Sequence, residues 1–117
     1  MTLQHIVLFE FSDDLDDADV ADMRSQVQSW PEKIGGISLI RFGADMTGAR
    51  TKGHQYLLYT EFEDPAALRA YQQHPVHQVF LKWVVDHGCS PLAFDYDINQ
   101  DTVIWPRFAT EQPKDQS

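Results

Sequence analysis

The 117-residue sequence predicts one α+β domain with the element order β-α-β-β-α-β and a kink in its second helix. Four short segments are rich in β-branched and aromatic residues, which is typical of strands. Two longer segments repeat apolar residues every three or four positions, and Pro75 interrupts the second of them. This order favours a ferredoxin-like fold with a four-stranded antiparallel sheet. We expect the domain to span residues 1–98 and a tail to follow at 99–117.

The first strand, predicted at residues 3–11, is apolar on both sides at its centre. Side chains alternate between the two faces of a strand. One face carries Leu3, His5, Val7, Phe9 and Phe11, and the other carries Ile6 and Leu8. Helices can cover only one of these faces, so we expect a second subunit to cover the other. The predicted partner is therefore a second copy of the chain, bound through the sheet.

The first helix is predicted from Asp16, whose side chain is a suitable N-cap. A buried stripe follows at helical spacing. Its members are Val20, Met23, Val27, Trp30 and Ile34. Since proline disrupts regular helices, Pro31 predicts that the helix ends near Trp30.

Two strands, at residues 37–46 and 54–63, are predicted to pair as a hairpin, with Gly43 as a bulge. The second of these strands places Tyr56 on the same face as Leu58. The connecting loop, residues 47–53, carries Arg50 and Lys52. Two interpretations stay open for this loop: a lid that attracts an anionic substrate, or an exposed connection.

The second helix is predicted to begin with Asp64 as N-cap and Pro65 at its first position. Pro75 then ends one helical piece and starts another, which brings Tyr71 and His77 towards one corner. The last strand is predicted at residues 90–98. In the tail, the apolar segment Val103–Phe108 is expected to dock on the domain or on its partner.

The composition argues against two classes of partner. Eighteen acidic residues against nine basic ones give a net charge of −9, whereas nucleic acids and anionic membranes bind clustered Lys and Arg. No apolar run approaches the ~20 residues that span a bilayer, and the N-terminus does not resemble a signal peptide. Cys89 is the single cysteine, so no internal disulfide is possible. We expect a soluble, cytoplasmic protein.

Several segments together resemble the stress-responsive α/β-barrel (Dabb) family over about residues 3–98. They are the strand His5-Ile6-Val7-Leu8-Phe9, the segment Tyr59–Asp64 that leads into a helix, the His74-Pro75-x-His77 motif and Phe94-Asp95-Tyr96. This resemblance implies a dimeric α+β barrel, in which two four-stranded sheets meet face to face.

The resemblance also implies a candidate site. One plant member of the family closes a linear polyketide by aldol condensation without a metal or cofactor. By motif, the acid–base pair of that member corresponds to His77 and Tyr71 in this chain, and a histidine of its pocket corresponds to His5. Its pocket has a histidine where this chain has Tyr56, and a tyrosine where this chain has Val27. We therefore expect His77 and Tyr71 as catalytic residues, and His5, Tyr56 and Val27 as substrate-binding residues.

The residue types leave more than one interpretation of this site. A neutral imidazole can remove a proton next to a carbonyl group, and a phenol can stabilise the resulting oxyanion. Alternatively, His77 only braces the kink and the protein is a non-enzymatic, stress-associated homodimer. A metal site is not expected, because Pro75 prevents His74 and His77 from sharing a regular helical face and no HExxH motif exists.

Overall fold

A computed structural model describes residues 2–100 and Val103, and its elements follow the predicted order. The strands are β1 (Leu3–Phe9), β2 (Ile37–Ala44), β3 (Tyr56–Phe62) and β4 (Leu92–Asp97). The helices are α1 (Asp17–Lys33), α2 (Pro65–Gln73) and α3 (Pro75–Asp86). The second predicted helix is thus two helices, which meet at His74. None of the described helices is long and apolar enough to cross a membrane.

The four strands form one antiparallel sheet in the order β2-β3-β1-β4. In the two central strands, His5 pairs with Thr60 and Phe9 pairs with Tyr56. On the other side of β1, His5 pairs with Asp95. The predicted α+β, ferredoxin-like fold is therefore confirmed.

The start of α1 is fixed by its cap, as the sequence predicts. The Asp19 amide donates to the Asp16 carboxylate at 2.8 Å, and the Asp16 amide donates to the Asp19 carboxylate at 3.2 Å. The predicted end near Trp30 is wrong, because the helix continues through Pro31 to Lys33. Proline removes only one helical donor here, and the Ile34 amide closes the last turn on the Trp30 carbonyl at 2.7 Å.

The bulge predicted at Gly43 is also wrong. Gly43 pairs regularly with Leu57, and the register shift of this hairpin lies between Ile37 and Leu39. A glycine inside a strand signals either a bulge or open space, and sequence alone does not separate the two. Here the space around Gly43 is open, since an added Cβ would meet nothing within 4 Å.

The three helices pack on one side of the sheet, which we call the inner face. The core between helices and sheet includes Phe9, Trp30, Leu58, Phe62, Tyr71 and Val84. The opposite side, the outer face, has no covering helix in the described chain and exposes Leu57, Leu92 and Phe94. It is not uniformly apolar: Gln4 donates to the Glu61 carboxylate at 3.1 Å, and Tyr59 donates to the same carboxylate. The predicted docking of Val103–Phe108 falls outside the described residues, apart from Val103.

Candidate active site

A cavity of about 260 Å³ lies between the inner face and the α2–α3 corner, and we call it the His/Tyr cavity. The sheet contributes His5, Val7, Phe9, Leu58 and Ala93, the segment before β4 contributes Pro91, and the helices contribute Tyr71, Gln72, His77, Gln78, Phe80, Leu81 and Val84. Most of these side chains are apolar. The cavity thus brings together three of the five predicted site residues: His5, Tyr71 and His77.

The break between α2 and α3 leaves a carbonyl oxygen available at this corner. In a continuous helix the Val76 amide would bond to the Gln72 carbonyl, four residues earlier. Instead the Val76 amide donates to Nδ1 of His74 at 3.1 Å, and Pro75 has no amide hydrogen. The Gln72 carbonyl then accepts from the side chains of His77, at 3.3 Å, and Gln78, at 2.5 Å.

The bond to Gln72 determines which tautomer of His77 is present. A carbonyl oxygen carries no proton, so Nδ1 of His77 must be the donor and Nε2 of the neutral ring keeps a lone pair. Burial lowers the pKa of the His77 imidazole, and nearby His5 lowers it as well, although the Gln72 carbonyl acts in the opposite direction. The ring is therefore neutral at pH 7, the form that can accept a proton.

Tyr71 presents the complementary group, a phenol that keeps its proton. Its side chain is 0% exposed, and its hydroxyl has no hydrogen-bond partner among the described residues. Burial raises the pKa of the Tyr71 phenol well above its usual range. The Tyr71 and His77 ring centroids are 4.3 Å apart. An unpaired buried hydroxyl is costly, and a bound acceptor would satisfy it.

His5 is held in this cavity by Asp95, a residue that the sequence did not identify as part of the site. His5 is 4% exposed, and its Nδ1 is hydrogen-bonded to the Asp95 carboxylate, with which it pairs across β1 and β4. The His5 ring centroid is 6.2 Å from that of Tyr71. Alternation along β4 puts Asp95 on the same face of the sheet as His5, and this signal could have identified it.

Trp30 forms the back of the site. It is fully buried and contacts Tyr71 and His77, with ring centroids 5.5 Å and 5.7 Å away. Its indole nitrogen also lacks a hydrogen-bond partner in the described chain. The sequence pattern assigns Trp30 to the core, which is correct, but does not indicate that it contacts both Tyr71 and His77.

The other two predicted site residues do not line the His/Tyr cavity. Tyr56 lies between the rings of Phe11 and Phe42 and lines a separate depression at the end of the sheet. Val27 is buried in the core and borders a hollow between α1 and β2. The alternation of side chains along β3 correctly predicted that Tyr56 lies on the inner face. It could not predict how far Tyr56 lies from α3 along the sheet.

No cluster of three potential metal ligands from His, Cys, Asp or Glu occurs in residues 2–100 or Val103. The polar residues that line the His/Tyr cavity are His5, Tyr71, His77, Gln72 and Gln78, and the Asp95 carboxylate binds His5 from outside the lining. This set is suited to moving protons between neutral groups.

Comparison with known proteins extends these findings. Residues 3–98 match the model of the stress responsive A/B barrel domain, abbreviated Dabb. No curated protein matches the chain. Among solved structures, a dimeric protein of unknown function with a ferredoxin-like fold from Bacteroides fragilis is 28% identical, with a TM-score of 0.68, and the match covers 82% of this chain and 95% of that one.

Two solved structures similar to this chain carry functional names. Hydroxynitrile lyase from Passiflora edulis is 16% identical, with a TM-score of 0.75 over 87% of this chain and 97% of that one. A cofactor-independent oxygenase from Streptomyces nogalater is 11% identical, with a TM-score of 0.67 over 91% of this chain and 98% of that one. At these identities the similarity shows a shared fold alone. With its family model matched from the first strand to the last, the chain belongs to the stress-responsive A/B barrel (Dabb) family.

Proposed function

We propose that the protein binds a small carbonyl compound in the His/Tyr cavity and catalyses proton transfer on it without a metal or cofactor. One observation carries this proposal. Tyr71, whose buried hydroxyl has no partner among the described residues, and His77, whose neutral imidazole donates through Nδ1 and leaves Nε2 with a lone pair, line the same cavity. A buried hydroxyl without an acceptor costs stability, and a ligand carbonyl in the cavity would satisfy it.

The reaction that fits this pair begins with removal of a proton from the carbon next to the carbonyl. His77 Nε2 takes the proton, and the Tyr71 hydroxyl donates a hydrogen bond to the enolate oxygen. The enolate carbon then forms a bond to a second carbonyl carbon of the same molecule, and the new alkoxide receives the proton. This is an aldol cyclisation, and its reverse is a lyase reaction. The Asp95–His5 pair would hold the carbonyl end of the ligand against Tyr71.

The dimensions of the cavity favour a compact ligand. Its volume of about 260 Å³ is below the ~300–1,000 Å³ that is typical of small-molecule sites. A compact dicarbonyl compound that closes into a single ring fits this volume better than an extended polyketide chain. The name of one structural relative, a cofactor-independent oxygenase, agrees with cofactor-free chemistry on this fold, and that of another, a hydroxynitrile lyase, agrees with a lyase reaction.

The proposed assembly is a homodimer that pairs through the outer face. Leu92 and Phe94 are 55% and 64% exposed there, and apolar side chains of this size favour burial. The Bacteroides fragilis protein with the same fold is dimeric. Sizing chromatography with light scattering at micromolar concentration should give about twice the chain mass of 13.5 kDa. A monomeric mass would contradict the dimer but not the chemistry of the cavity.

Hydrogen–deuterium exchange tests the proposed chemistry without knowledge of the natural substrate. In deuterated water the protein should accelerate exchange of the methyl protons of acetophenone, which is followed by proton NMR. His77→Ala should lose this acceleration, and His54→Ala, which removes an imidazole outside the cavity, should keep it. If wild type and His77→Ala exchange at the same rate, the catalytic proposal is wrong. If His77→Ala instead fails to fold as a dimer, the structural interpretation of the kink is correct.

A further inference from the structure

Of the two histidines that line the His/Tyr cavity, His5 is the one bound to a carboxylate. An ionised carboxylate has no proton to donate, so Nδ1 of His5 is the donor in its hydrogen bond with Asp95. The other ring nitrogen, Nε2, has no hydrogen-bond partner among the described residues, although His5 is 96% buried in the cavity wall. Edge-to-face contacts with Phe62 and Tyr71, at 6.5 Å and 6.2 Å between ring centroids, hold the ring in place. Nε2 of His5 is therefore available to a ligand.

The two histidines differ in the group that faces Nδ1. Nδ1 of His77 donates to the uncharged Gln72 carbonyl, and burial and nearby His5 both lower the pKa of the His77 imidazole. Nδ1 of His5 faces a carboxylate, so a second proton on His5 forms an ion pair that is neutral overall. A second proton on His77 has no such counter-charge in a mostly apolar cavity. The environments therefore suit His77 to the role of base and His5 to the role of proton donor.

Among the described residues that line the cavity, only His5 is left to give a proton to a second oxygen of the ligand. In the proposed reaction the Tyr71 hydroxyl donates to the enolate oxygen, and His77 takes the proton from carbon. Gln78 donates to the Gln72 carbonyl at 2.5 Å. The side-chain amides of these two glutamines can donate hydrogen bonds but do not release protons near neutral pH.

We propose that His5 donates a proton to the second carbonyl oxygen of a dicarbonyl ligand, and that Asp95 is the positioning residue that holds His5 for this step. The inference rests on the proposed function, and it names the substrate class: a compound with two carbonyl groups, one oxygen for Tyr71 and one for His5. The centroids of these two rings are 6.2 Å apart, so one small molecule can contact both. The cavity volume of about 260 Å³ agrees with closure of a single ring between them.

The protons balance over the whole reaction. His77 Nε2 takes a proton from the carbon next to the first carbonyl group, and the enolate carbon forms a bond to the second carbonyl carbon. The electron pair of the second carbonyl bond moves to its oxygen, which takes the proton from Nε2 of His5. His5 keeps the Nδ1 proton that it donates to Asp95, and His77 carries the proton from carbon. After release of the β-hydroxy ketone, proton exchange with solvent returns both rings to their starting states.

Two probes separate the step assigned to His5 from the removal of a proton from carbon. Heptane-2,6-dione closes to a six-membered β-hydroxy ketone and therefore needs both the base and the proton donor. Acetophenone has one carbonyl group and forms no new alkoxide, so exchange of its methyl protons needs only His77 and Tyr71. Proton NMR of the full-length protein with each probe follows both reactions.

Asp95→Asn should slow cyclisation of the dione about 10²-fold, since general acid–base catalysis contributes about 10²–10⁴-fold. The same variant should keep the wild-type maximal rate of acetophenone exchange, which also shows that the site is folded. Asp95→Glu keeps the carboxylate and should recover part of the lost cyclisation rate. The matched control is Asp97→Asn, which removes the same charge two residues further along β4, where the carboxylate accepts the Asn99 amide at 2.9 Å. This control should cyclise the dione at the wild-type rate.

The pH dependence separates a proton donor from a structural role. The titratable side chains that face the His5 ring are Asp95 from β4, Tyr71 from α2 and His77 from α3, and β3 contributes the uncharged Phe62. Cyclisation by wild type should slow on the alkaline side as His5 loses the proton on Nε2, whereas acetophenone exchange should not. Asp95→Asn should change this alkaline limb and leave the acid limb, which belongs to His77, in place.

The outcomes distinguish this inference from the proposed function. If wild type exchanges acetophenone but does not accelerate closure of the dione, the inference is overturned and the proposed function stands. If wild type accelerates neither reaction, both are wrong. The inference is also overturned if Asp95→Asn cyclises the dione as fast as wild type, or if it loses both reactions equally, because Asp95 then only supports the structure of the site. A flat alkaline limb for cyclisation by wild type overturns it without any variant.

Discussion

The His/Tyr cavity and the outer face of the sheet differ in how their polar groups are satisfied. The cavity keeps a phenol and an imidazole that burial holds in their neutral forms. On the outer face, Gln4 and Tyr59 both donate to the Glu61 carboxylate, beside exposed apolar side chains that include Leu92 and Phe94. Burial disfavours charge, so the cavity is suited to exchanging protons with a neutral ligand. Polar groups that satisfy one another can be buried without a ligand, so the outer face is suited to the proposed contact with a second copy of the chain.

Of the three substitutions, Tyr71→Phe should have the largest effect on the chemistry of the cavity, because it removes the phenol that is proposed to be catalytic. Loss of the donor to the enolate oxygen should lower the rate of ketone exchange by about 10²–10³-fold, as for other oxyanion donors. The free energy of unfolding should stay the same or rise by about 1 kcal/mol, because a buried unpaired polar group costs about 1–3 kcal/mol. Exchange kinetics and urea titration measure the two effects. If Tyr71→Phe is less stable than wild type but keeps the wild-type exchange rate, Tyr71 has only a structural role in the core.

The pH dependence of the exchange rate tests whether the His77 imidazole acts as a base in its neutral form. The pKa of His77 lies below its usual value near 6.5, so the exchange rate should rise with pH through a midpoint below 6.5 and stay constant above it. The unfolded state binds the proton more readily, so the contribution of His77 to stability is present above about pH 6.5 and is lost as pH falls through the lower, folded pKa. His77→Ala should reduce this acid-side loss of stability. A midpoint above 6.5 would contradict the assignment.

His74→Ala should have the smallest effect of the three, and it tests how the helix break positions His77. Loss of the cap should cost about 1 kcal/mol and release the Val76 amide, which then competes with His77 for the Gln72 carbonyl. Exchange should slow and its pH midpoint should move. Asn is a good N-cap, so His74→Asn should restore both stability and rate. Equal rates in wild type and His74→Ala would show that the break is structural only.

Local chemistry explains why much of the fold could be predicted. Asp16 and Asp64 cap helices through amides three residues away, and Pro75 acts on its immediate neighbours, so short windows of sequence contain the information. The rule that a proline ends a helix failed at Pro31, because only the last turn of α1 remained to be formed after that residue. The homodimer, the substrate and the roles of the site residues stay predictions.

The sequence by itself determined the element order, the helix caps, the kink, and the inner-face positions of His5 and Tyr56. Only the tertiary structure decided which of these side chains meet. His5 is joined to Asp95 because β1 lies between β3 and β4, and Tyr56 is separated from His77 because it lies at the far end of β3. Spacing along the chain fixes the face on which a residue lies, but contacts between residues 50 to 90 positions apart depend on strand order and register, which no local pattern encodes.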